Sequence, residues 1–460
     1  MKRKLLSLLL TTFLTTSLYI SCNKDDTTTG TTTASISALN CSSATFSATP
    51  VMNVAFTGTA SVPYTGGNGA TYTAGTAVAS TGVTGLTATL AAGTLASDSG
   101  SLTYNITGTP DSSGTASFAI SLGGQSCTLA LTVNAAATAS NCDAATGVAK
   151  LVCLSDAFKA TLSSSQITTL QLSYTFSNIT TWSNLPAGAA KRLGIKLGDL
   201  TATQLAAAKA IVKEMSGTTA NEGWDEVQQI WAADDYLSVN SGNSLYGSGN
   251  YYLAFFGTPA TTGMFEIMMT GHHKTVANTY TNGALVAATP HFEGVEPVTF
   301  TTDSATYAPI SQEKDAFVAV LASLSATELA TAKSSSTFSG VVLGPGTDWQ
   351  FPTAQSGLQC NSLTAAQKTL VLNAIKTFVY DVDDADAATI FATYTSEIDN
   401  TYILYSGTTE LNTNTDYFRI DGPHVWIEFN VNTQNALTTS GVHYHAVWRD
   451  RVTDYAGTKN

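Results

Sequence analysis

Charge is what this sequence has least of: Asp, Glu, Lys and Arg make up 12% of its 460 residues. Acids outnumber bases 33 to 20 for a net charge of −13, and beyond Lys2-Arg3-Lys4 no basic cluster relieves it. That balance argues against nucleic acid or anionic lipid as a partner. No apolar run beyond Leu5–Ile20 could cross a bilayer, which excludes a multi-span membrane protein. Histidine is scarcer still, with six in the whole chain. Thr, Ser, Ala and Gly fill the remaining space, giving an uncharged hydroxyl surface and not a charge-rich disordered chain. The length suits a removable leader plus two or three compact units.

Met1-Lys2-Arg3-Lys4 is a positive n-region, Leu5 to Ile20 is a short apolar stretch, and Ser21-Cys22 places a small residue before a cysteine. This resembles a bacterial lipoprotein signal, which implies removal of residues 1–21 and acylation of Cys22. Tyr19 stands where such signals usually carry leucine. Asn23-Lys24-Asp25-Asp26 resembles the sorting signal of lipoproteins exported to the outer face of the outer membrane. Residues 22–33 read as a Thr/Gly tether with nothing to bury. The expected location is therefore the outer membrane, exposed at the cell surface and anchored by lipid. Five further cysteines fit an oxidising compartment. Cys41 and Cys127 bracket the first folded unit and are the expected disulfide, which would stabilise it by roughly 4 kcal/mol. Cys142 and Cys153 are the next pair, with Cys360 a competitor for either partner.

Residues 34–135 show short strands broken by Gly and Pro, such as 51–56, 102–106 and 116–120. The spacing predicts an antiparallel β-sandwich, and the segment resembles immunoglobulin-like modules of bacterial surface proteins. It has no His and no Trp, so it reads as a spacer, joined to the rest by residues 135–140.

Helical patterns begin beyond residue 141. Four helix starts share a leucine and a capping box: Ser163…Gln166, Thr201…Gln204, Ser325…Glu328 and Thr364…Gln367. Matching fragments recur in order roughly 160 residues apart, among them Asp156-Ala157-Phe158 with Asp315-Ala316-Phe317. This predicts two related halves, about 145–300 and 305–455, within an α+β domain over 141–457. The fold class is thus multi-domain: an all-β sandwich followed by an α+β domain with internal duplication.

All six histidines fall in the strand-rich end of each half. His443-Tyr444-His445 lies in an alternating stretch, so both rings leave one face, about 7 Å apart at Cα. Two imidazoles so placed can converge on one metal ion. In His272-His273 neighbouring residues face opposite ways, so only one joins unless Gly271 opens a turn. Further ligands could come from His291, Glu293, Glu296 or Glu428. Imidazole and carboxylate suit Zn, Mn, Fe or Cu without choosing among them.

The order of Trp182…Pro186, Gly271-His272-His273, Glu296-Pro297, Tyr417-Phe418-Arg419-Ile420 and His443-Tyr444-His445…Trp448-Arg449-Asp450 resembles an uncharacterised family of bacterial and fungal proteins, a domain of unknown function, over about 150–457. The resemblance implies a shared site built from those elements and carries no established activity. The resulting expectation is a surface lipoprotein with a metal-dependent hydrolase or oxidase domain. His272 or His273, His291, His443, His445 and Glu296 would be metal ligands, with Glu428 in or beside the metal shell as a catalytic candidate. Arg419 and Arg449 would orient an extracellular small molecule or polymer. The alternative is a non-catalytic protein that binds a ligand or metal.

Overall fold

The computed structural model describes residues 33–52, 54–134, 142–302, 304–433, 436–437 and 441–459. The leader, Cys22, nearly all of the tether and the linker after residue 134 lie outside the described residues. Among those described, no helix is long and apolar enough to cross a membrane.

The first unit is all β. Strands Phe56–Thr65, Gly100–Gly108 and Leu86–Leu90 pair antiparallel in one sheet, and Gly114–Leu122 with Gln125–Val133 in another. Every second residue of Gly100–Gly108 is buried, and Leu102, Tyr104 and Ile106 share a core with Phe118, Ile120, Leu129 and Leu131 of the second sheet. The Gly114–Leu122 strand turns through Gly123-Gly124, both at positive φ, the conformation a two-residue hairpin of matching twist requires. Val51 and Met52 do not begin the strand that their composition suggests. Val51 makes only an isolated bridge to Asn134, and pairing begins at Phe56. Cys41 and Cys127 are joined across 86 residues, and Cys142 to Cys153, which among the described residues leaves Cys360 free and buried.

The second unit mixes helices with one long sheet. All four capping boxes form, starting helices Ser164–Leu170, Ala202–Glu214, Ala326–Ala332 and Ala365–Val379. The Gln that closes two of them also reaches back to a carbonyl: Gln204 to Thr161 at 2.8 Å, and Gln367 to Ser323 at 3.0 Å. The sheet runs outward from a central antiparallel pair, His291–Val295 against Val442–Asp450. On one side of that pair follow Lys274–Thr281, Met264–Thr270 and Tyr252–Phe256. On the other side follow Val425–Thr433, Tyr417–Asp421 and Tyr402–Ser406. The order is a palindrome about the centre. Helices cover one face over two adjoining cores, and a smaller cluster of Trp182, Phe256, Met268, Phe292, Val447 and Tyr455 covers the other. Central strands are therefore buried on both sides, their polar residues included.

Candidate metal centre

The Met264–Thr270 and Lys274–Thr281 strands join through Gly271-His272-His273, closed by the Gly271 N–H donating to the Lys274 carbonyl at 2.9 Å. Gly271 is needed because a Cβ there would stand 2.2 Å from the Tyr251 ring. His273 takes a left-handed φ of 68°, which frees it from strand alternation. The rings of both histidines therefore come together at the turn that follows Gly271, which strand alternation alone would not allow. Their rings stack with centroids 3.6 Å apart.

Cross-strand register brings His273 to the other pair. Lys274 lies opposite Glu293 and Gly294 opposite His445, so the hairpin tip hangs over Gly294 beside the Val442–Asp450 strand. The His273 ring is 5.8 Å from His443 and 5.2 Å from His445, which are 4.7 Å from each other. One ligand nitrogen from each of the three lies within 4.8 Å of the others, close enough to share an ion. Gly294 makes this possible, since a Cβ would meet Cδ2 of His273 at 2.7 Å and Cδ2 of His445 at 2.9 Å. Gly294→Ala is expected to part the rings and weaken zinc binding about 10- to 100-fold with the fold retained, as calorimetric titration would read. An unchanged affinity would show that the rings need no such contact.

Burial holds the His273 and His445 rings well below the ordinary imidazole value, and repulsion among the neighbouring histidines pushes them further. Burial lowers His443 as well, against the pull of the Glu296 carboxylate. All three are thus neutral at pH 7, the form a metal requires. Nδ1 of His443 is buried without a hydrogen-bond partner among the described residues. His445 meets the Asn432 carboxamide through Nδ1 at 3.2 Å, and its other ring nitrogen remains for the centre. His272 contacts Asp234 through Nδ1 at 2.6 Å, with Tyr246 packed 5.0 Å from its ring. Asp234 projects from helix Gly223–Ser241 and is 1% exposed; desolvation raises its pKa and His272 opposes that rise.

Of the other expected ligands, His291, Glu293 and Glu428 are elsewhere. His291 and Glu293 alternate with Gly294 in register, so they face the opposite side of the sheet, where His291 lies 2.9 Å from Asp381. Glu296 stands near His443, and its Oε1 accepts from the Ala436 N–H at 2.7 Å. Glu428 is no ligand: its carboxylate accepts from Leu343 N–H at 2.8 Å, Trp426 Nε1 and Tyr417 Oη at 2.7 Å each, and Val342 N–H. Arg449 was expected to orient a substrate, and its donors are committed within the protein. It lies about 13 Å along the strand from His445, and its donors go to Asp454 at 2.7 Å, the Leu343 carbonyl at 3.0 Å and Asp348 at 3.1 Å. Arg419 packs over Trp426 at 4.8 Å and donates to Ser356. Arg449 is saturated by protein groups, whereas Nε of Arg419 is buried without a partner among the described residues. A cavity of about 220 Å³ beside Tyr394, His424 and Asp450 lies at the other hairpin tip and is lined by none of the clustered histidines.

Asp234, Tyr246 and Gly294 were not anticipated. Asp234 had a signal: it shares a helical stripe with Val227, Ile230, Trp231 and Leu237, so a carboxylate sits on a buried face. The other two depend on register alone.

Residues 144–457, well over half of the chain, match the family model described as Protein of unknown function (DUF3500). This is the region whose motif order resembles a domain of unknown function. No curated protein and no solved structure matches the chain.

Proposed function

We propose, for a chain that belongs to the DUF3500 family and inherits no activity from it, that the second unit is a metal-dependent catalytic domain. His273, His443 and His445 would hold one divalent transition ion, and His272, oriented by Asp234, would move the proton. The observation that carries this reading is three imidazoles from the two ends of the domain with ligand atoms within 4.8 Å, beside a fourth paired to a buried carboxylate. A bound ion of this kind supplies an activated water near neutral pH. With Nδ1–H directed at Asp234, the Nε2 of His272 is the nitrogen that takes up a proton. Hydrolysis of an extracellular small molecule or polymer fits this arrangement, and copper or iron in place of zinc would favour oxidation. Non-catalytic capture of a metal or ligand is the second reading, favoured by one feature: His272, His273 and His443 are each no more than 5% exposed.

The leader and Cys22 support a lipid anchor at the outer membrane surface, with the first unit as an immunoglobulin-like spacer. A duplicated origin of the second unit is supported by the palindromic sheet order and the equivalent hydrogen bonds of Gln204 and Gln367.

The test loads the mature chain with Zn²⁺, Mn²⁺, Fe²⁺ or Cu²⁺ and assays p-nitrophenyl acetate, p-nitrophenyl phosphate and oxygen uptake. Turnover should vanish on chelation, and His272→Gln should keep the metal while lowering kcat about 100-fold or more. Stoichiometric metal with no turnover, or with turnover indifferent to His272→Gln, leaves the binding reading in its place.

A further inference from the structure

On the helix-covered face of the same sheet, the two halves bury a second set of charges. Glu222 and Glu226 open helix Gly223–Ser241, and His291 and Glu293 lie on the central strand next to Lys274. From the second half come Glu313, in the first turn of helix Ser311–Ser323, and Asp381, just past helix Ala365–Val379. None of the seven is more than 6% exposed, and Glu226, Lys274 and Glu313 are 0%. Five carboxylates thus face one ammonium and one imidazole.

Lys274 uses its three donors on Glu226 Oε2, Asp381 Oδ2 at 2.8 Å and Glu293 Oε2 at 3.1 Å. One ammonium then has nothing left to offer. Among the described residues, Glu226 Oε1, Glu293 Oε1, both oxygens of Glu313 and Nδ1 of His291 are buried without a hydrogen-bond partner. Leaving so many acceptors unsatisfied away from water is strongly unfavourable. The orphaned atoms are also gathered together. One oxygen from each of Glu226, Glu293 and Glu313 lies within 4.8 Å of the others, and His291, Glu293 and Asp381 form a second such group around the same strand. Oxygens about 2.0 to 2.6 Å from a common ion are at most roughly 5 Å apart, so the spacing suits a shared cation.

We propose that this buried cluster is a structural site for a hard divalent cation of the Ca²⁺ or Mn²⁺ kind, held by Glu226, Glu293 and Glu313. It is separate from the histidine centre, which lies on the other face, and it does not rest on the catalytic reading. Oxygen ligands with at most one imidazole select hard ions over the softer ones the histidines would take. Because its ligands come from both halves and no member reaches solvent, the ion would be taken up during folding and would clamp the halves together. The competing account is that the surplus carboxyls stay protonated and need no ion.

The experiment uses the full mature chain carrying His273→Ala and His443→Ala, so that both histidine groups fall below three ligands. Purified and dialysed with Ca²⁺ or Mn²⁺, it should retain about one equivalent by elemental analysis. Adding Glu313→Gln, which keeps the side-chain volume, should remove that equivalent and with it the rise of a few degrees in Tm that the cation confers. A folded double-histidine variant with less than a tenth of an equivalent of either ion would overturn the proposal. So would a Glu313→Gln chain that keeps the ion, or one that melts higher with no ion in either form. Should Glu313→Gln fail to fold, Glu226→Gln gives the same reading. Loss of metal from the histidine variant relative to the unmodified chain reports on the other centre separately.

Discussion

His273→Ala is expected to lower zinc affinity at the histidine centre about 100-fold or more while the protein stays folded. Three considerations set that size. Zinc sites with four protein ligands bind with about 10–16 kcal/mol in total, so one ligand is worth roughly 3 kcal/mol, or two decades in affinity. His273 is also common to both histidine groups, one with His443 and His445 and the other with His272 and Asp234, so its loss leaves each group a ligand short. Finally, its left-handed backbone sits at a hairpin tip held by the Gly271–Lys274 hydrogen bond, which the substitution leaves in place. The pH dependence has a definite sign. Burial and mutual repulsion keep His273 and His445 neutral below the ordinary imidazole value of 6.5, so protons compete poorly with metal. Affinity in the unmodified chain should be nearly flat from pH 7.5 to 6.5 and fall only in more acid solution. Calorimetric titrations at pH 7.5, 6.5 and 5.5 would check both statements. Equal affinity in the variant would remove His273 from the centre.

Lys274→Met is expected to destabilise the second unit by about 3–5 kcal/mol, the usual loss when one partner of a buried ion pair is removed. Lys274 is fully buried, and the three carboxylates around it hold its ammonium firmly charged, well above the ordinary lysine value. Methionine fits the space of the aliphatic stem but leaves Glu226, Glu293 and Asp381 facing one another in a medium that cannot screen them. Urea unfolding of the variant and the unmodified chain, compared at equal m-value, measures the difference. A loss below about 1 kcal/mol would mean that the carboxyls take up protons and dispense with the lysine.

Local structure was readable along the chain wherever the signal was short-range. The four capping boxes predicted four helix starts, because a hydroxyl and a Gln or Glu three residues apart satisfy each other's backbone whatever surrounds them. The His443-x-His445 pair was legible for a similar reason: strand alternation alone puts both rings on one face. The Val51–Phe56 stretch misled because apolar composition does not supply a pairing partner, and Asn134 offers only a single bridge. Candidate residues chosen by chemistry fared unevenly. Glu428 and Arg449 have the right groups for a site, yet Tyr417, Trp426, Leu343 and Asp454 consume their hydrogen-bonding capacity. Nothing in the order of residues announces such saturation.

What the chain determined by itself was the inventory: scarce histidines confined to the strand-rich ends, helix starts marked by capping chemistry, and cysteines placed to pair. What only the tertiary structure decided was which of those groups meet. Alternation along a strand sets which neighbours share a face, but the pairing of Gly294, and not His291 or Glu293, with His445 sets what that face holds. That one-residue distinction sends His273, His443 and His445 to one side of the sheet and His291, Glu293 and Lys274 to the other. Register between strands about 150 residues apart is chosen by packing over the whole domain, because slipping it by one position would carry each side chain to the opposite face.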